Sequence, residues 1–502
     1  MDENKDQSSL QSDTDSKQSD ELISMKQAIQ LLKTTRSTFY RWVRGGKIKG
    51  MKVGRQWRFY LEDIERFLKG REPRIDLPAD IKPFIKELQQ HTKKFGENDI
   101  LLPETDEIRH ALDLMILLAV KMRASDIHLA PNIKEDGTTA ATLRYRIDGV
   151  LHTIAEIDIR LLPILIEQWK IAASCNVYEK EKPQDGRILA SAISKGIDLR
   201  VSFLPTILGE SLTVRIFDQS SAKIKLADID FASYDREKII RWVESSHGMI
   251  IVSGPTGSGK TAVFYSLLSH ISNPERKVMT VENPVEFSIP WVVQVPVRSD
   301  VGLTFPVALR SIFRSDPDVI GIGELSDYET IEIAHHCALT GHLVIATMHA
   351  DESVRVLKRM VDMGCDPFII GESTGLITAQ RLVRKICSYC NIEKTPSDKM
   401  LKKAEDIAQA NGLDWNSLTK NFREPVGCDK CNNTGYRGRN VIAETLEVTP
   451  EIVSALGCDV TIEELRNIAI KQGMVSIAAD GLRRSAMGNI PLAEVLRVLA
   501  LK

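Results

Sequence analysis

Residues 254–261 read Gly-Pro-Thr-Gly-Ser-Gly-Lys-Thr, and no other stretch restricts the fold of this chain as tightly. The run fits Gly-x-x-x-x-Gly-Lys-[Ser/Thr]. An apolar stretch, Met249 to Val252, precedes it, and Ala262 to Ile271 follows with the alternation of a helix. Strand, glycine loop and helix together are the setting this motif needs. Its glycines let successive backbone N–H groups turn inward around a phosphate, and the helix start at Lys260 adds a positive dipole end. Gly254, Pro255, Thr256, Gly257, Ser258, Gly259, Lys260 and Thr261 therefore read as a nucleoside-triphosphate cradle. Lys260 is placed to reach the β- and γ-phosphates, and the Thr261 hydroxyl to bind Mg²⁺. A plain glycine turn is the competing reading, and the flanks argue against it.

A chain of 502 residues has room for three or four domains. Its net charge of −2 excludes nothing at whole-chain level. The longest apolar run, Leu112 to Val120, begins beside Asp113 and is too short to span a bilayer, and the N-terminus lacks the basic-then-apolar layout of a secretory signal. These features predict a cytosolic chain that reaches a membrane only through partners.

Composition shifts mark the organisation. Residues 1–21 carry seven acidic residues against two lysines and one large apolar residue, Leu10, and are expected to be a disordered tail. Residues 22–69 read as a small basic domain. Met25 to Leu32 has helical spacing, Arg36 to Val43 forms a second helix, Gly45-Gly46 breaks the chain, Lys47 to Phe59 alternates as a hairpin wing, and Glu62 to Leu68 closes it. Lys33 to Arg58 holds nine Lys or Arg and no acid. Residues 70–98 read as a charged linker, 99–222 as an α+β domain, and 227–502 as the nucleotide domain. Within the last, 381–440 form a cysteine-bearing subdomain and 445–502 a helical C-terminal part.

Further chemistry follows the phosphate loop. Val278 to Glu286 delivers Glu282 to a strand end, and Asp318 to Glu324 is a buried-type strand ending on Glu324. Ligands sit at carboxyl ends of strands in parallel sheets, so both glutamates are candidates to orient an attacking water. Leu343 to Met348 is a further strand, bracketed by His342 and His349. Cys387-x-x-Cys390 and Cys428-x-x-Cys431 fit a four-thiolate Zn²⁺ site, which leaves no position open for substrate and so reads as structural. Cys175, Cys337, Cys365 and Cys458 are scattered and read as core residues.

Two resemblances cover most of the chain. Met25-Lys-Gln-Ala-Ile, Thr35-Arg-Ser-Thr-Phe-Tyr-Arg-Trp and Val53-Gly-Arg-Gln-Trp-Arg-Phe resemble the winged helix-turn-helix of excisionase and MerR-type DNA-binding families. The likeness puts Arg36, Ser37, Thr38 and Arg41 on a recognition helix and Arg55 and Arg58 on a wing. DNA binding and protein docking both stand as readings of it. The order Gly254–Thr261, Glu282–Glu286, Arg310-x-x-x-Arg314-Ser-Asp-Pro-Asp318, Gly323-Glu-Leu-Ser-Asp327, Thr340-Gly-His342 and Thr347-Met-His349 resembles the secretion ATPases of type II secretion and type IV pilus assembly. That resemblance implies a RecA-like P-loop NTPase core after an α+β domain. It makes Glu324 the Walker B glutamate, Glu282 a general base, and His342 and His349 γ-phosphate sensors. Ala124-Ser-Asp-Ile-His128, Leu143 to Gly149, Gln184 to Arg187 and Asp198 to Ser202 resemble the family's second N-terminal domain. It supplies arginines to a neighbour's nucleotide, here Arg187 and Arg200 before Arg144 and Arg146. The tetracysteine insert is typical of assembly rather than retraction members.

The resemblance implies an ATP-hydrolysing homohexamer acting through an inner-membrane platform protein on a pseudopilus or pilus. A DNA-binding regulator with slow turnover and a DNA-uptake pilus motor are the alternatives. Three positions depart from the pattern: Asn283 replaces an aspartate, Ser326 an arginine and Ser315 a glutamine. The resemblance implies a platform-docking first domain, and the basic helix-turn-helix is expected to stand in its place.

Overall fold

The computed structural model describes residues 22–44, 48, 50–53, 56–68, 79–94, 107–189, 197–218, 224–458 and 460–500. The expected tail 1–21, the Gly45-Gly46 break and Arg55 lie outside the described residues.

The basic domain is built from β1 (Leu22–Ser24), α1 (Met25–Leu31), α2 (Arg36–Arg44), β2 (Met51–Val53), β3 (Gln56–Tyr60) and α3 (Leu61–Leu68). Ser24 starts α1 in a reciprocal capping box with Gln27, which satisfies two backbone donors at the helix start. The three strands pair in the order β1-β3-β2. Ala28, Phe39, Ile48, Phe59 and Ile64 form its core, with Phe39 edge-on to Phe59 at 5.0 Å.

The second region departs from expectation at its start. Residues 70–98 read as a charged linker, yet they contain α4 (Lys82–Lys93), which packs on α5 (Glu107–Lys121). Phe84, Ile85 and Leu88 of α4 belong to the same hydrophobic core as Tyr145 and Trp169. Polar residues cover the other face of α4, and that amphipathic spacing outweighs its charged composition. The remaining elements are β4 (Ala124–Ile133), β5 (Thr139–Ile147), β6 (Val150–Asp158), α6 (Leu162–Ala172), β7 (Gln184–Leu189), β8 (Ile197–Thr206) and β9 (Gly209–Asp218). They make a six-stranded antiparallel sheet, β6-β5-β4-β9-β8-β7. One face buries its apolar residues against the helices, and the other displays polar ones, as period-two alternation requires.

The third region starts with α7 (Ser233–Val243), β10 (Gly248–Ser253), α8 (Lys260–Ile271), β11 (Val278–Glu282), β12 (Val292–Pro296) and α9 (Phe305–Phe313). It continues with β13 (Val319–Ile322), α10 (Tyr328–Leu339), β14 (Leu343–Met348), α11 (Ser353–Asp362), α12 (Pro367–Ser373) and β15 (Thr374–Ile386). Then come β16 (Asn391–Glu393), α13 (Asp398–Ala410), β17 (Arg423–Pro425), β18 (Tyr436–Glu447), α14 (Pro450–Leu456), α15 (Ile462–Lys471), α16 (Ile477–Ala486) and α17 (Leu492–Ala500). Seven strands form one sheet, β12-β11-β13-β14-β10-β15-β18, parallel except for the last pair. Strands β10, β13 and β14 are buried along their whole length, as expected when helices cover both faces. Glu444 of β18 is 3% exposed and ties the C-terminal helices in. Its carboxylate accepts from Ser353 N at 2.7 Å and Ile477 N at 3.1 Å, the first residues of α11 and α16.

Candidate functional site

Carboxyl ends of β10, β11, β13 and β14 meet at one edge of the large sheet. The phosphate loop leaves β10 through Gly254, Gly257 and Gly259 at φ of 149°, 77° and 88°, a region that L side chains avoid. A Cβ on Gly254 would stand 2.5 Å from Gln380 O, so the loop also needs glycine for close approach. Gln380 of β15, fully buried, donates from Nε2 to Ser258 O at 2.9 Å and braces the loop from the neighbouring strand.

Lys260 opens α8 with its ammonium folded onto its own loop. Nζ donates to Gly254 O at 2.7 Å and Pro255 O at 3.1 Å, and lies 3.2 Å from His349 Nδ1. Burial lowers its pKa to about 8, partly opposed by Glu324. The other ring nitrogen of His349, Nε2, lies 3.6 Å from Glu324 Oε1. Lysine, histidine and glutamate thus converge as the sequence suggests, with Glu324 and His349 each about two-fifths exposed. The loop after β14 is held by Ser253 Oγ, which donates to Ala350 O at 2.8 Å.

His342 is not part of this group. It precedes β14, and its carbonyl accepts from Gly248 N at the start of β10, so it lies at the opposite end of the sheet from His349. There Nδ1 lies 2.9 Å from Cys337 O, and the ring packs on Phe313. Six residues of parallel strand separate the two histidines, about 20 Å. Within one chain His342 cannot sense a γ-phosphate at this loop.

Glu282 also differs from a water-exposed base. It is 2% exposed, and its carboxylate accepts from Tyr265 OH, Thr280 Oγ1 at 2.5 Å and Gln294 Nε2 at 3.0 Å. Asn283 and Ser326, the two departures nearest the site, are both exposed. Asp327 beside Ser326 caps α10, accepting from Thr330 N at 2.8 Å.

The expected arginines lie on the polar face of the six-stranded sheet. Cross-strand register puts Arg146, Asp126, Arg215, Arg200 and Arg187 in one row across β5, β4, β9, β8 and β7. Arg144 occupies the next same-face position on β5, opposite His128. Asp126 pairs with Arg215 at 3.1 Å and Arg146 at 3.5 Å, and Arg187 pairs with Asp198 at 2.5 Å. Arg200 reaches the nucleotide domain of its own chain: Nη2 lies 2.7 Å from Glu286 Oε2, with the guanidinium 4.3 Å over the Phe217 ring. Arg215 was not foreseen, although its place opposite Arg200 in an alternating strand was available as a signal.

The four cysteines of the two pairs come together in a knuckle at the far end of β15 and β18. Their Sγ atoms all lie within 4.8 Å of one another, with contacts of 3.7, 3.8 and 4.0 Å. A tetrahedral zinc with bonds of ~2.3 Å requires sulfurs about 3.8 Å apart. A disulfide would require ~2.05 Å, so the spacing suits a metal and not two bridges. Backbone N–H groups of Gly427 (3.3 Å to Cys390 Sγ), Cys428 and Gly435 (both 3.2 Å to Cys431 Sγ) point at sulfur, as thiolate ligands need. Of the remaining cysteines Cys337 and Cys365 are core residues as expected. Cys175 is half-buried and Cys458 is exposed, because Cys458 follows the end of α14 instead of packing under it.

In the basic domain Arg36, Ser37 and Arg41 are exposed and Thr38 is half-buried on α2, and Arg58 sits on β3. Thr38 N donates to Thr35 Oγ1 at 3.3 Å, Arg36 stands 5.8 Å over Tyr40, and Arg58 Nη2 donates to Gln56 Oε1 at 3.2 Å.

Comparison with known proteins identifies the family. A family model described as type II/IV secretion system protein matches residues 103–497, and one described as helix-turn-helix domain matches residues 22–72. The type IV pilus assembly ATPase PilB of Myxococcus xanthus is 35% identical over 87% of this chain and 75% of its own length. The type II secretion system protein HxcR of Pseudomonas aeruginosa is 36% identical, covering 77% of this chain and 76% of HxcR. The type II secretion system protein E of Aeromonas hydrophila is 35% identical, over 81% of this chain and 79% of that protein. Among solved structures the Legionella pneumophila ATPase DotB aligns with a TM-score of 0.55 at 19% identity, covering 78% of this chain and 95% of DotB. The ADP-bound pilus retraction motor PilT aligns at 0.50 and 21% identity, over 77% of this chain and 96% of that one. At these identities the structures establish a shared fold.

Proposed function

We propose that this chain, which belongs to the type II/IV secretion system protein family, is an ATP-hydrolysing motor for assembly of a type II secretion pseudopilus or type IV pilus. The observation that carries this reading is the convergence of Lys260, Glu324 and His349 at the mouth of a glycine phosphate loop. Backbone N–H groups of residues 254–261 would hold the triphosphate, and Lys260 would leave its own carbonyls to meet the β- and γ-phosphates. Thr261, exposed in the first turn of α8, and Glu324 are placed to hold Mg²⁺, which would offset charge on the transferring phosphoryl group. His349, between Lys260 and Glu324, is placed to register whether the lysine faces the loop or a phosphate. Glu282 is the candidate base. Its buried carboxylate has three of its four lone-pair sites occupied, which leaves one for a water.

Arg187 and Arg200 would act on a neighbour's nucleotide in a ring of six copies, and Arg200 must then leave Glu286. Cys387, Cys390, Cys428 and Cys431 would hold Zn²⁺, which cross-links the residues 391–427 excursion and takes no part in the chemistry. Among the described residues no helix is long and apolar enough to cross a membrane. The proposed station is the cytoplasmic side of the inner membrane, reached through the platform protein. The test is steady-state ATP turnover of the full chain beside Glu324→Gln. Turnover independent of Glu324, with platform protein present, would defeat the motor reading.

A second reading concerns the N-terminal domain alone. It rests on Arg36, Arg41 and Arg58, which share a small domain with the exposed Ser37 and have no acidic partner among the described residues. We assign this surface to duplex DNA, several copies in a ring raising a weak single-copy affinity. A salt titration decides it: a log–log slope near zero would exclude phosphate contacts and leave protein docking.

A further inference from the structure

Tyr265 lies on α8, about one turn beyond the phosphate loop, beside the apolar Phe264, Leu267 and Leu268. Its side chain is buried and packs on Phe287 at 4.1 Å. Its hydroxyl accepts from Glu286 N at 2.9 Å, so its own proton is free to point elsewhere, and it points at Glu282 Oε2. Burial, reinforced by the Glu282 hydrogen bond, raises the phenol pKa, so the group stays a donor. On the other carboxylate oxygen, Thr280 and Gln294 donate. Gln294 is itself fixed: its Oε1 accepts from Ile289 N at 2.8 Å and its Nε2 also donates to Phe287 O at 3.1 Å. Three donors from three elements therefore leave the carboxylate no rotational freedom, and the one remaining lone pair has a set direction.

The same hydroxyl reaches further. Glu286, whose N–H it accepts, carries the carboxylate that pairs with Arg200 of the preceding domain at 2.7 Å. One phenol thus joins the helix of the phosphate loop, the carboxylate at the end of β11 and the residue that grips the other domain.

We propose that Tyr265 is a positioning residue for hydrolysis: it aims the Glu282 carboxylate and couples that aim to the Arg200–Glu286 contact between the two domains. The inference rests on the reading of Glu282 as the base. In a motor whose domains move, such a link makes the aim of the base depend on whether Arg200 rests on Glu286 of its own chain or has left it for a neighbouring copy.

The test is Tyr265→Phe in the full chain, with Arg200→Ala and the double variant. Losing one charge-assisted hydrogen bond predicts a fall in kcat of about ten- to a hundredfold, with KM for ATP and ADP affinity held within about twofold. Arg200→Ala should cost less in the Tyr265→Phe background than in the natural chain, since the route is already cut. Gln294→Leu, which removes a donor to the same carboxylate without touching α8, should repeat the kcat-only loss. A merely structural tyrosine would lower Tm and leave the kcat-to-KM split and the Arg200 coupling unmoved. Unchanged kcat in Tyr265→Phe beside an inactive Glu282→Gln overturns the proposal. Additive effects of Tyr265 and Arg200 overturn the coupling. Full turnover in Glu282→Gln overturns the reading of the base, and the proposal with it.

Discussion

The cysteine knuckle and the phosphate loop are both short turns that present backbone N–H groups around a place for charge, yet they stand ready in different senses. In the knuckle the four sulfurs already hold the spacing of a tetrahedral ion, and amide groups already face them. In the phosphate loop the key cation is turned inward, bonded to Gly254 and Pro255 carbonyls and set against His349. Ligand binding at the first site need move little. At the second it must exchange one set of partners for another. A brace should be preformed and a motor site should not, and the two geometries suit the two roles proposed for them.

The hardest blow to the comparison is Lys260→Ala. It should lower ATP turnover by about a thousandfold or more, since a preorganised cation at the transferring phosphoryl group carries that scale of effect. A coupled enzyme assay checks it, and the fold should survive because Lys260 bonds only to its own loop and His349. Next in size is Cys387→Ser. Bound zinc should disappear by elemental analysis, and Tm should fall by several degrees, the loss of a cross-link at the end of β15 and β18. Unchanged zinc content would refute the four-thiolate site.

Acidity provides a finer probe. Burial brings Lys260 to about 8, against an unfolded value near ~10.4. Bound phosphates favour the charged ammonium, so ATP affinity should weaken as pH rises above 8, about tenfold by pH 9. Over the same window the unfolded chain binds more protons than the folded one, so this lysine makes the free protein more stable as pH rises. Opposite slopes for affinity and stability are the signature, read by calorimetry and thermal melts. Lys260→Arg should flatten both. The smallest effect distinguishes the two histidines: His349→Ala should reduce kcat about tenfold, whereas His342→Ala, at the far end of β14, should change it less than about twofold. Equal losses would bring His342 back to the site through a neighbouring copy.

Much of this was legible in the residues. The phosphate loop, the cysteine pairs and the small basic domain announce themselves because their chemistry needs fixed spacings, and the parallel sheet follows from uninterrupted apolar runs such as Met249 to Val252. Helix α4 was hidden because Phe84, Ile85 and Leu88 are diluted among charged residues that face water. His342 looked equivalent to His349 because both flank one strand, and sequence adjacency does not say which strand end carries the site. Tyr265, Gln294 and Gln380 escaped notice for the opposite reason. Each is a single polar residue inside a strand or helix, and only the fold shows that its partner lies 17, 12 or 122 positions away. The row of arginines was half visible: alternation along β8 and β9 suggests a polar face, and register across strands supplies the rest.

The carboxylate of Glu444 has a consequence for anyone who shortens this protein. It anchors the first residues of α11 and α16 with its two oxygens, so it binds the segment just after the His349 loop to a helix more than a hundred residues downstream. Removing the C-terminal helices would strand that buried carboxyl group with one of its three donors gone, a defect worth about 1–3 kcal/mol at a position adjoining the nucleotide loop. The tail of this chain is thus the keystone of the ATPase domain, and a truncation meant to trim an appendage would be felt at His349.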